Sequence, residues 1–139
     1  MANKGHIKDI AFDDFLGARS VWEIAVENLL EGCINESYAA LQALYQSQHA
    51  KTDQLKGLFQ SIAQDECKHA EIAREVHLFL LPLLTQEEQR KLQELSKERW
   101  KELQESFSKK PYTPELRLLG LPNPKTAISM ALSLQKAVA

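Results

Sequence analysis

The sequence predicts an all-α protein built on a long antiparallel helical hairpin. Glycine and proline are scarce, at 5 each in 139 residues, and few breakers favour long helices over a strand-and-turn architecture. The first run of roughly 35 helix-compatible residues contains no proline. Apolar residues recur at alternating spacings of three and four, the period of an amphipathic helix. The length is that expected for one domain.

The first predicted helix begins at a cap residue, Asp13 or Asp14, and runs to about His49. Aspartate at this position accepts hydrogen bonds from the free N–H groups of the first turn. The glycines inside the helix are isolated. A helix of this length is unusual in a globular domain and indicates a bundle or coiled-coil element.

The second predicted helix follows a short break with the sequence AKTD at 50–53. Thr52 or Asp53 is its expected N-cap. It reaches about residue 83, and Pro82 helps to end it because proline lacks the N–H that a helix interior needs.

The third predicted helix opens at Thr85, which forms a capping-box pattern with Glu88 and leads to a helix ending near Lys109. Its candidate inner face consists of Leu92, Leu95, Leu103 and Phe107.

A turn-rich connector at 109–124 follows the third helix. Asn123 as a cap and Pro124 at the first helical position then start a short final helix. Its candidate apolar face consists of Ile128, Ala131, Leu132 and Leu134. The expected organisation is one domain over 1–139: a flexible N-terminus at 1–12, the hairpin at 13–84, and the additional helices at 85–139.

Charge and composition exclude several classes of protein. The net charge is −2 and the pI is about 6.1, so no basic field is expected to attract nucleic acid. No run approaches the 18 apolar residues of a membrane span, and the first residues lack the apolar core of a signal peptide. We therefore expect a cytoplasmic protein with no membrane partner. Cys33 and Cys67 are expected to be reduced, partly buried thiols.

Polar residues interrupt the apolar seams of both hairpin helices. The predicted seam of the second helix comprises Leu55, Phe59, Ile62, Glu66, His69, Ala73, Val76, Leu80 and Leu83. The matching seam of the first helix comprises Ile24, Glu27, Glu31, Ile34, Tyr38, Leu41 and Tyr45. Such seams normally face a partner helix. Carboxylates and an imidazole therefore stand where apolar side chains are expected.

The position along the hairpin decides which acid groups meet. Glu31 and Glu66 are expected at about the same level if the loop is short and the helices slant. Glu36 fits the level slightly better. It lies five residues past Glu31, however, and is rotated roughly 140° away at 3.6 residues per turn. We therefore expect Glu31 to face Glu66, with Glu36 as the alternative and Glu27 as a neighbouring or alternative ligand.

Burial of this cluster needs compensation. An unpartnered buried carboxylate costs several kcal/mol, and neighbouring carboxylates repel one another. Three arrangements would offset this cost: protonation of the carboxylates, pairing with a Lys or Arg, or a bound cation. Neither seam carries Lys or Arg in its centre, which favours a divalent metal held by Glu31, Glu66 and His69. A hydrogen-bonded polar patch at a helix or subunit interface is the structural alternative. His77, on the flank of the seam, is expected to be an ordinary half-exposed histidine.

These motifs resemble the ferritin-like superfamily, in which one helix supplies a Glu and its antiparallel neighbour a Glu-x-x-His. Rubrerythrin-type members carry a Tyr seven residues after the first Glu, and Glu31 and Tyr38 keep that spacing. Residues 23–84 are similar to the second half of uncharacterised bacterial ferritin-like proteins. The stretches VENLLEGCINESYAAL, IAQDECKHAEIA and LGLPNP carry this likeness.

The resemblance implies a diiron carboxylate centre that oxidises Fe(II) with dioxygen or peroxide, with ferroxidase-like or peroxide-reducing activity. Tyr38 would then be either a core aromatic residue or the donor of a hydrogen bond to a ligating carboxylate. Zn or Mn are the alternative metals.

The sequence departs from the family in having only one Glu plus Glu-x-x-His set. The third helix contains no histidine, so it cannot supply the second set. A homodimer would supply it and complete a four-helix bundle, as in encapsulated ferritins built from half-bundles. The alternative function is a non-enzymatic dimerisation or adaptor domain whose polar seam is vestigial or binds Zn.

Overall fold

The computed structural model describes residues 19–138, and every element in that range is helical, which confirms the all-α prediction. Five helices follow one another in the chain. The first, α1 (21–49), consists of Val21–Glu27, a π-helical stretch Asn28–Asn35, and Glu36–His49; the others are α2 (Asp53–Leu80, then a 3₁₀ turn at Leu81–Leu83), α3 (Gln86–Lys109), α4 (Pro114–Leu118) and α5 (Pro124–Val138).

The predicted helix caps are present. The Thr52 hydroxyl accepts a backbone N–H of the first turn of α2. Thr85 and Glu88 form the reciprocal capping box of α3, with side chain to backbone distances of 3.1 and 3.0 Å. The Asn123 side chain accepts the Thr126 N–H at 2.8 Å. These caps are correctly predicted because each is made by residues within one helical turn.

The start of α1 differs from the prediction. The helix begins at Val21, and the Ser20 hydroxyl caps it by accepting the Glu23 N–H at 3.1 Å. Ser20 has an extended backbone, so an unbroken helix from Asp13 or Asp14 is wrong at this point. Those two predicted caps lie outside the described residues.

The helices α1 and α2 are antiparallel and approach closely near Asn28, whose amide donates to the Ala73 carbonyl at 2.8 Å. Gly32 faces the same turn of α2. A Cβ at this glycine would lie 2.7 Å from the Ala73 Cβ, closer than side chains pack. The absence of a side chain at Gly32 therefore permits the close approach of the two helices.

The turn after α4 clamps the closed end of the hairpin. Gln46, buried near the end of α1, donates to the Leu119 carbonyl at 3.1 Å. Gly120 has a φ of 76° and packs so tightly that a Cβ would lie 2.4 Å from the Ala50 nitrogen. Glycine is required there for both reasons. The helix α4, which lies inside the predicted connector at 109–124, was missed.

The helix α1 lies in the middle of the fold, with α2 on one side and α3 and α5 on the other. Buried residues at one end of the hairpin form an apolar cluster: Ala25, Leu80, Leu84 and Leu92. Trp100 of α3 and Ala131 of α5 are also buried, at 3% and 0% exposure. The helix α2 packs mainly on α1.

The predicted seam of α2 is split between two environments. Ala73 and Leu80 are buried and Phe59 is partly buried on the side of α1, whereas Ile62 and Leu83 are exposed. The apolar face of α2 is therefore wider than one helix can cover. A spacing of three and four residues identifies such a face without showing which part of it is covered.

Candidate metal centre

Three side chains from the hairpin converge on one point of its surface. Glu36 of α1 and Glu66 and His69 of α2 each offer a ligand atom, and these atoms lie within 4.8 Å of one another. The Nδ1 atom of His69 is 3.4 Å from a Glu66 oxygen and 3.9 Å from a Glu36 oxygen. We call these three residues the cluster.

The π-helical stretch Asn28–Asn35 explains how Glu36 comes to face α2. The Glu36 N–H donates to the Glu31 carbonyl, which is the five-residue bond of a π-helix. The expected rotation between these residues assumed an α-helix throughout. Because the π-helix has more residues in each turn, Glu36 reaches the α2 side. The expectation that Glu31 faces Glu66 is therefore wrong in geometry.

Glu36 and Glu66 interact directly through their carboxyl groups. The hydrogen bond with Glu66, followed by partial burial, raises the pKa of Glu36 above its usual value. The pKa of Glu66 is lowered, first because it accepts from Glu36 and also because it bonds His69. Within residues 19–138 neither carboxylate has a Lys or Arg within ion-pair distance.

Glu31 is turned toward α3, where Arg99 donates to one carboxylate oxygen at 3.1 Å. Asn35 donates to the other at 2.7 Å. Both bonds, with that from Arg99 the larger effect, hold the pKa of Glu31 below its usual value. Arg99 was not predicted as a partner of Glu31, because no spacing rule links α3 to this level of α1.

The remaining predicted site residues lie away from the cluster. Glu27 is exposed and forms an ion pair with Arg19. The Tyr38 ring packs against Phe107 of α3, with centroids 5.0 Å apart. The Tyr38 hydroxyl is buried and has no hydrogen-bond partner within the described residues, and burial raises its pKa to about 12. The structure therefore does not bring Tyr38 to a ligating carboxylate.

The cluster lies at the surface of the chain. Side-chain exposure is 25% for Glu66, 36% for Glu36 and 59% for His69. The expected burial between two helices is therefore not found in the single chain. Ions in solution can reach all three groups.

His77 does not join the cluster, and it lines a cavity of about 420 Å³ together with Leu29, Leu81 and Trp100. Its Nδ1 atom is buried without a partner among residues 19–138, and burial lowers its pKa. Cys33 is partly buried and Cys67 is exposed, and both thiols are free.

The donor set of the cluster fits a divalent cation. Two carboxylate oxygens and one imidazole nitrogen suit Fe(II), Mn(II) or Zn(II). The ligand atoms of Glu36 and Glu66 lie close enough for one ion to contact both. A cation bound there would relieve the repulsion between the carboxylates.

Comparison of the chain with models of protein families, with curated proteins and with solved structures finds no match. No helix in the part of the chain that the structure describes has both the length and the apolar character needed to cross a membrane.

Proposed function

We propose that this protein is a ferritin-like carboxylate protein that binds Fe(II) at Glu36, Glu66 and His69 and oxidises it with dioxygen or peroxide. The convergence of three donor atoms within 4.8 Å on one face of the hairpin carries this proposal. The family assignment rests on the sequence motifs, with Glu36 now in the position first expected for Glu31.

The residues of the cluster have separable roles. Glu66 and His69 lie three residues apart on α2, so one helical turn presents both to the same ion. Glu36 approaches from α1 and makes the third contact across the hairpin. Iron bound there would supply one electron for each Fe(II) oxidised, and carboxylates tolerate both charge states of the ion.

We propose further that a homodimer shares the centre. One chain offers three donors, which leaves coordination positions open on a cation that prefers more ligands. A second chain related by a two-fold axis would bring an identical cluster to the first. The exposure of His69 leaves room for this approach.

Metal content after anaerobic loading with Fe(II) and desalting tests the proposal. We expect about one iron per chain for the native protein, as a two-iron site shared by two chains requires. Glu66→Ala and Glu36→Gln should lose it. Glu31→Gln is the matched control and should keep it, because Glu31 pairs with Arg99 and not with the cluster.

Oxygen consumption by the loaded protein separates the rival functions. Fe(II) oxidation that depends on Glu36 and Glu66 supports the proposal. Tight binding of Zn(II) without oxygen uptake would indicate a structural zinc site. Absence of metal from all variants would favour the helical adaptor, with the cluster as a hydrogen-bonded patch. The exposed apolar side chains beside the cluster support this second candidate.

A further inference from the structure

A continuous stripe of side chains on α2 lies beside the face that packs on α1. Its members are spaced alternately by three and four residues, and we call this set the stripe: Leu55, Leu58, Ile62, Asp65, His69, Ile72, Val76, Phe79 and Leu83. Such spacing is the pattern of a helix that packs against another helix along its whole length. The stripe crosses the cluster at His69.

Most apolar members of the stripe are exposed, whereas Leu55 and Val76 are partly buried. Exposure is 53% for Leu58, 61% for Ile72, 71% for Phe79 and 60% for Leu83. Single exposed apolar residues are common, but a contiguous row marks an interaction surface. From Leu55 to Phe79 the row is about 36 Å long at 1.5 Å per residue.

We infer that the stripe pairs antiparallel with the same stripe of a second copy, with the two-fold axis beside residue 67. The role of the interface in completing a metal centre rests on the proposed function. The pairing itself rests on the spacing and exposure of the stripe. Every pair is then symmetric about residue 67. The pairs are Leu55 with Phe79, Leu58 with Val76, Ile62 with Ile72, and Asp65 with His69 of the partner subunit.

This register is chosen because it sets apolar side chains against apolar ones and Asp65 against His69 of the partner subunit. The next antiparallel register toward the C-terminus that keeps the spacing is centred one half-heptad further along α2. It pairs Ile62 with Phe79, but it also sets Asp65 against Val76 and His69 against Ile72 of the partner subunit. Enclosing a carboxylate against apolar side chains is more costly than any gain from a surface ion pair.

One charge contact opposes the chosen register. Lys68 of each copy would lie near the axis at the exposed edge of the interface, whereas the rival register sets Lys68 beside Glu75 of the partner subunit. Exposed charge pairs contribute little because water and salt screen them. The enclosed pairs at the centre of the stripe therefore decide the register.

The chosen register adds a residue to the metal centre. The Nδ1 atom of His69 faces Glu66 and Glu36, which leaves Nε2 on the other edge of the ring. Asp65 of the partner subunit would accept the Nε2 hydrogen. A carboxylate on the second nitrogen fixes the tautomer of a ligating histidine and orients its ring. The two clusters would also meet at the axis.

Disulfide trapping tests the register on the full chain with Cys33→Ser and Cys67→Ser as background. Ile62→Cys with Ile72→Cys should give a covalent dimer under mild oxidation, because the two positions face each other. Ile62→Cys alone, and Ile62→Cys with Phe79→Cys, should crosslink at least about tenfold more slowly, since these positions lie several turns apart at the helix rise.

Sedimentation of single variants that keep both native cysteines provides a second measurement, that of the oligomeric state. Ile72→Lys should shift the protein from dimer to monomer. Leu118→Lys is the control, since Leu118 is 46% exposed on α4, away from the stripe, and it should leave the dimer unchanged.

The outcomes separate this inference from the proposed function. Crosslinking of the Ile62 and Ile72 positions in a chelator supports the pairing whether or not iron binds, and crosslinking that needs Fe(II) supports both. Iron binding by a chain that stays monomeric overturns the pairing and the shared centre, but it leaves iron binding by the cluster standing. Faster crosslinking of the Ile62 and Phe79 positions, or equal crosslinking of Ile62→Cys alone, overturns the register.

Discussion

The two long helices of the hairpin differ in how the chain itself covers them. The helix α1 has neighbours on both sides, with α2 on one and α3 and α5 on the other, and it buries Ile34, Tyr38 and Ala43 along its length. The helix α2 is about as long as α1 but buries only Ala63, Ala73 and Leu80. The helix α1 is therefore interior, whereas α2 lies at the edge of the fold.

The acid groups on the predicted seams of the two helices follow the same division. On α1, Glu27 pairs with Arg19 and Glu31 with Arg99, so positive side chains neutralise both. On α2, the partners of Glu66 among residues 19–138 are Glu36 and His69. Within that range no lysine or arginine neutralises Glu66. A carboxylate on a helix seam indicates a functional site only where no Lys or Arg side chain of the fold pairs with it.

The largest expected contrast in unfolding free energy is between removal of a buried and removal of an exposed aromatic side chain. Trp100→Ala removes a residue that is 3% exposed and should lower the free energy of unfolding by about 3–5 kcal/mol. Phe79→Ala removes one that is 71% exposed and should change it by less than about 0.5 kcal/mol at low protein concentration. Urea denaturation measures both. Equal losses would mean that α2 is not an edge in the single chain.

The two helical glycines provide the next contrast. Gly32→Ala forces a Cβ against Ala73 and should destabilise the fold by about 1–3 kcal/mol through overpacking. Gly57→Ala meets open space and should stabilise the fold by about 0.5–1 kcal/mol, because alanine is the better helix former. Thermal unfolding of the two variants checks the opposite signs. A stabilised Gly32→Ala would show that the close approach at Asn28 is not required.

The smallest expected effects are two opposite pKa changes, measured by NMR of the carboxyl carbons. Glu66→Gln should lower the pKa of Glu36, because the acceptor that raises it is replaced. Arg99→Met should raise the pKa of Glu31, because the donor that lowers it is gone. Movement of both values in the same direction would contradict the assigned partners.

Stability should depend on pH with opposite signs at the two sites. Since the pKa of Glu36 is raised above 4.5, its contribution is present below that value and is lost as the pH rises through the raised pKa. Since the pKa of Glu31 is lowered, its contribution is present above 4.5 and is lost as the pH falls through the lowered pKa. Both groups are exposed by a third or more, so each effect should stay below about 1 kcal/mol.

Local signals in the sequence were sufficient for the starts of α2, α3 and α5. The caps at Thr52, Thr85 and Asn123 each use atoms within one turn, and the structure contains all three. The helix α4 carries the same kind of signal. Thr113 is its N-cap, followed by Pro114 at the first position, but a short helix in a proline-rich stretch also reads as a turn.

The positions that were wrong depend on contacts between distant parts of the chain. The change from Glu31 to Glu36 depends on the π-helical stretch, where Asn28 bonds Ala73 and Gly32 packs against it. These contacts join residues more than forty positions apart, and no local pattern encodes them. Arg99 reaches Glu31 in the same way. Sequence periodicity placed the polar residues on α1 and α2, whereas tertiary packing determines which of them lie close together.

The π-helical stretch Asn28–Asn35 also has an evolutionary consequence. A π turn is one residue wider than an α turn, so deleting a single residue between Glu27 and Glu36 would restore an α-helix. The downstream half of α1 would then rotate by about 100° and carry Glu36 away from Glu66. A homologue with that deletion would keep every ligand in its sequence and yet lose the cluster, so relatives should be compared by the spacing in this stretch as well as by the identity of their acid residues.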